Sequence, residues 1–100
     1  MFLNLNINLY QQYNLQIIQT EETANQIYQD LAELLKHDSV EIDMQNMLYI
    51  TTNCMRKIIG QIYRDCASEH MFYEKVKTIN VNKKIGSVID LVIEEERKEK

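Results

Sequence analysis

Two histidines and two cysteines are the residues here best suited to chemistry. Cys66, His70 and Glu74 follow one another at four-residue steps. On a helix that spacing would point all three the same way, as a row of metal ligands. A structural zinc site needs four ligands, and no second Cys/His group exists. An ordinary His70–Glu74 surface pair is the simpler reading, and neither a metal nor any other cofactor is expected. His37 stands beside Asp38 at the junction of two expected helices, where complementing a helix dipole suits it better than general-base work. Cys54 has Arg56 and Lys57 close by in sequence, but at helical spacing they point away from it, so nothing lowers its pKa. Ser39, Ser68 and Ser87 have no motif around them. There is no G-x-x-x-x-G-K, G-x-G-x-x-G or H-E-x-x-H. The expectation is a protein without enzymatic activity.

Charge gives a second class of candidates. The net charge is −4, which provides no overall drive toward nucleic acid or an anionic membrane. The distribution is uneven. Residues 1–50 hold seven acids and one base, and residues 51–84 hold seven bases and three acids. Arg56, Lys57 and Arg64 recur at helical steps beside Gly60. Such a stripe could contact phosphates, but aromatic residues do not interleave with it and no recognition-helix motif is visible. Tyr49 and Leu15 are the apolar residues that fall on expected polar helix faces. With Arg56, Lys57 and Arg64 they are the candidate partner-binding residues, and a cluster of Tyr49, Ile50 and Leu15 would form a binding patch or dimer seam.

The elements that must position these groups follow from periodicity. The chain has no Pro and two Gly, which favours long helices with few turns. Residues 38–67 carry Val40, Met44, Met47, Leu48, Thr51, Cys54, Met55, Ile58 and Ile62 at steps of three and four, an arc of about 140°. Asp38-Ser39-Val40-Glu41 has the form of a capping box. Residues 10–36 show the same period, with an alternative start at Thr20 ahead of Glu21 and Glu22. A short link would make the two helices an antiparallel hairpin. A break near residues 67–70, a helix over 69–79 and a last helix over 83–97 complete the prediction. A strand over 88–93 is the alternative there, given its β-branched content.

Leu3, Leu5, Ile7 and Leu9 alternate with Asn, the period of a half-buried strand. Residues 1–9 are therefore expected to be a strand-like arm. It would pair with Thr78–Val81, with Val88–Ile93 or with its own copy, or else lie as a loose tail.

The sequence thus predicts one all-α domain over residues 1–100. It is a long antiparallel helical hairpin extended to a three- or four-helix bundle, elongated and coiled-coil-like, with that arm in front. Free buried thiols, no signal-like N-terminus and no membrane-length apolar run point to the cytoplasm. The expected function is binding another protein, a second copy in a homodimer among the candidates. The types considered are an adaptor, a small chaperone, an inhibitor and an immunity-type protein. The alternative is a small nucleic-acid-binding regulator that uses the basic stripe. No membrane partner is expected.

Overall fold

The structure is a computed structural model, and it describes residues 4–99. The described residues form five strands and six α-helices. They are β1 (Asn4–Asn8), α1 (Leu9–Tyr13), β2 (Ile17–Ile18), α2 (Glu21–Leu35), β3 (Ser39–Asp43), β4 (Tyr49–Ile50), α3 (Thr52–Met55), α4 (Gln61–Asp65), α5 (Glu69–Lys75), β5 (Val76–Ile79) and α6 (Lys83–Glu99). A π-helical turn over Arg56–Gly60 joins α3 to α4, and the three run on as one central helix. The fold is mixed α/β, and the all-α bundle is overturned.

Pairing explains the correction. β3 lies between β1 and β5, parallel to both. Leu5 sits opposite Val40 and Ile7 opposite Ile42, while Val40 and Ile42 face Val76 and Thr78 on the other side. Ser39-Val40-Glu41-Ile42-Asp43 alternates as strictly as the Asn-rich stretch before it, with Val40 and Ile42 buried. Its Val40, Met44 and Met47 also fit a three-four spacing, so the helical pattern absorbed it. What decides is the backbone of β1, whose N–H and C=O groups need a partner strand. Of the expected arm, Asn4–Asn8 is that strand, Leu9 opens α1, and residues 1–3 lie outside the described residues.

The last helix, α6, covers the expected 83–97, but the helices before it are shorter than their periodicity suggested. Asn14 ends α1 in the left-handed region at φ 55°, a conformation Asn tolerates. The true start of the next helix is Thr20, whose hydroxyl accepts from the Thr23 N–H at 3.3 Å. Glu21 and Glu22 then fill its first turn. Tyr13 donates to Asp30 at 2.6 Å and fixes α1 against α2. Thr51, rather than Asp38, caps the central helix by accepting from the Cys54 N–H. Cys66–Ser68 interrupt the helix, and α5 passes directly into β5 at Val76.

The sheet has two unlike faces. Val40, Ile42 and Val76 enter one buried cluster with Met55, Ile58, Ile59 and Ile62 of the central helix and Ile85 and Val92 of α6. The opposite face carries Asn6, Glu41 and Lys77 in one row, with Asn6 donating to Glu41 at 2.9 Å. α2 and α6 flank the central helix, so its apolar arc is covered within the chain. No coiled-coil seam remains among the described residues. The axes measure 32 × 30 × 24 Å, which excludes the elongated hairpin.

Gly60 sits where α6 comes closest. A Cβ there would meet Val92 Cγ1 at 3.2 Å. Two substitutions test the arrangement. Ile42→Ala should cost about 2–5 kcal/mol as a core truncation, and Glu41→Ala, one residue away on the polar face, less than about 1 kcal/mol. Urea unfolding of both checks the strand. Equal losses would contradict it.

Candidate protein-interaction surface

The basic stripe is built, but its charge is spent within the chain. Arg56 grips Glu95 with two parallel bonds of 3.0 Å and donates to Asn53 at 2.8 Å. Lys57 pairs with Glu21 at 3.1 Å, and Arg64 with Glu96 at 2.7 Å. The carboxylates come from α2 and α6, so the three cations clamp both flanking helices to the central one. Glu96 is 5% exposed, and its Oε1 has no hydrogen-bond partner among the described residues. A buried carboxylate tolerates this only with its cation in place.

A second cluster closes the end of α6. Arg97 pairs with Glu69 at 2.5 Å and with Glu94 at 3.1 Å, and the buried Tyr63 hydroxyl donates to Glu69 at 3.0 Å. Donation from Arg97, then from Tyr63, holds the Glu69 carboxyl below the usual glutamate value. Arg56 does the same for Glu95.

The chemical candidates are not brought together. Cys66 has extended backbone just past the end of α4, outside the helix that carries His70 and Glu74. Those two form an exposed pair at 2.9 Å. No group of His, Cys, Asp and Glu that could hold a metal ion occurs among the described residues. Cys54 is buried and its thiol donates to the Thr20 carbonyl at 3.5 Å. His37 lies exposed in the turn after α2, its N–H donating to Leu34.

Tyr49 lies on a small ribbon that begins two residues after Leu15. β2 and β4 pair in parallel, with Ile17 opposite Tyr49 and Ile18 opposite Ile50. The Leu48 N–H donates to the Gln16 carbonyl at 2.8 Å. Ile18 and Ile50 point into the core. Leu15, Ile17 and Leu48 stay outside at 39%, 43% and 54% exposure, with Tyr49 half-buried beside Ile17. Asn82 locks the ribbon. Its amide donates to the Met47 and Leu48 carbonyls at 3.0 and 3.2 Å while its oxygen caps α6 at Ile85. The patch is therefore held on paired backbone, so little entropy remains to be lost when it is covered.

Ile17 and Leu48 were missed as surface residues because both fit helical core positions. The β-branched pair Ile17–Ile18 ahead of a Thr cap was the available signal. Arg56, Lys57 and Arg64 line a different cleft with Glu21 and Asn53; they do not belong to this patch.

Compared with known families, curated proteins and solved structures, the chain matches no family model, no curated protein and no solved structure. Among the described residues no helix is long and apolar enough to cross a membrane.

Arg64→Ala should lower stability by about 2 kcal/mol, between the values of surface and buried pairs. Adding Glu96→Leu should recover part of the loss in urea unfolding. The Glu69 and Glu95 contributions have a definite sign. Their folded pKa values lie below the ordinary 4.5. The added stability is present above that value and lost as pH falls through the lowered ones. The urea midpoint should therefore drop from pH 5 toward pH 3, and Glu69→Gln with Glu95→Gln should flatten that drop.

Proposed function

We propose that this chain is a non-enzymatic protein-interaction module, of the adaptor, small-chaperone, inhibitor or immunity type. It binds its partner through the β2–β4 ribbon. The observation that carries the reading is exposed Ile17 opposite half-buried Tyr49 on the ribbon, with exposed Leu15 and Leu48 in the residues that lead into its two strands. Isolated apolar side chains on a surface are ordinary, but a group within one short ribbon favours a docking patch. Tyr49 suits such a place, since tyrosine combines a large apolar ring with a hydrogen-bonding hydroxyl.

The nucleic-acid reading is weaker. Arg56, Lys57 and Arg64 each have a carboxylate partner, so phosphate contacts would have to break the bonds that hold α2 and α6. Cys54 and Cys66 form no disulfide among the described residues, which supports a reducing compartment such as the cytoplasm.

The double variant Ile17→Asp with Leu48→Asp tests the reading. Both side chains are exposed, so circular dichroism and the urea midpoint should change little. Affinity capture from the native cell should recover a partner with the wild type and lose it with the variant. Equal recovery by both, or a wild type that returns only itself, would sink the proposal. Self-association is read separately by sedimentation, where a homodimer would show twice the 11.9 kDa chain mass.

A further inference from the structure

A second surface lies on the far side of the sheet, where β5 is an edge strand. It pairs with β3 on one side only. Beyond its other side is a cleft of about 460 Å³, and α6 forms the opposite wall. Phe72 and Tyr73 line it at one end, and Ile79, Ile89 and Ile93 along its length. α6 packs on the central helix and on β4, which leaves this gap between helix and strand. An open strand edge presents a row of unpaired N–H and C=O groups, a template for a further strand.

Charge selects the occupant. Lys77 sits on the polar face of β5, exposed, and among the described residues its ammonium makes no ion pair or hydrogen bond. Asp90 stands on the helix wall of the cleft. A strand added beside β5 would alternate between the two faces of the sheet. Its residues on the helix side would meet Ile89 and Ile93, where Asp90 disfavours an acid. Its residues on the polar side would lie next to Lys77, where an acid is favoured.

A second copy of this chain fits poorly. Antiparallel pairing of two β5 strands centred on Lys77 sets lysine against lysine, which destabilises. Pairing centred on Thr78 sets Lys77 against Ile79 and adds no carboxylate to the one Lys77 already faces, Glu41 on β3. A lysine on a strand edge is a common guard against self-pairing.

We propose that the β5–α6 cleft accepts an extended peptide segment of a protein partner as an added strand, with apolar residues toward α6 and carboxylates beside Lys77. This goes beyond the ribbon surface and does not depend on it. Ile17 and Leu48 line no part of the cleft, so either reading can fail alone.

The test uses the full chain, isotopically labelled, and two blocked seven-residue peptides, one alternating valine with glutamate and one alternating valine with lysine. The glutamate peptide should shift the amide signals of Val76–Ile79 and of Ile89–Ile93. The lysine peptide should bind about tenfold more weakly. Lys77→Glu, an exposed change whose spectrum reports its own folding, should reverse that preference. The proposal is overturned if neither peptide moves the β5 amides at millimolar concentration. It is equally overturned if both bind alike, if the preference survives Lys77→Glu, or if β5 is already covered in a dimer of the free chain.

Discussion

Parallel pairing of β3 with both β1 and β5 is the constraint from which the rest follows. Parallel neighbours cannot be joined by a tight turn; each pair needs a crossover long enough to return the chain to its starting end. Between β1 and β3 the return is made by α2, and between β3 and β5 by the central helix with α5. The helices are thus obliged to lie against the sheet, and their apolar stripes find their partners there. The short ribbon of β2 and β4 arises in the same way. β2 follows β1 after the short helix α1 and β4 follows β3 after a loop, so two departing segments run side by side.

The sequence was informative wherever one period excluded the other. Alternating Asn at positions 4, 6 and 8 favoured the strand that forms there over a loose tail, and the stripe over residues 85–93 favoured the helix that became α6 over a strand. It misled where short apolar sets satisfied both periods. Val40 and Ile42 alternate, yet with Met44 and Met47 they also fit a helix face. Asp38 and Glu41 added an apparent cap. Nothing local decides such a case; pairing with β1, some thirty-five positions earlier, does. The same ambiguity hid Ile17 and Leu48. Of the candidate surface, Tyr49 and Leu15 were visible as apolar residues in polar arcs. Arg56, Lys57 and Arg64 were visible as a stripe, but their carboxylate partners are 39 and 32 positions away for Arg56 and Arg64 and 36 for Lys57, beyond any sequence window.

Electrostatics in this protein acts inward. The acid-rich first half and base-rich middle are reconciled by ion pairs that join α2 and α6 to the central helix. Exposed pairs of this kind contribute little each, and their role is to fix orientation. Glu96 is the exception, since its burial makes it depend on the Arg64 charge.

The π-helical turn at Arg56–Gly60 places one residue more in its turn than an α-helix would hold. Everything before it and everything after it are therefore out of phase by about 100° relative to a regular helix. That offset lets α3 bury Cys54 and Met55 while α4 presents Ile62 and Tyr63 to the core and Arg64 to α6. Chain length in the middle of the molecule is consequently not adjustable. Shortening the helix by a single residue there would regularise its hydrogen bonds and, in doing so, turn one half of the interior outward.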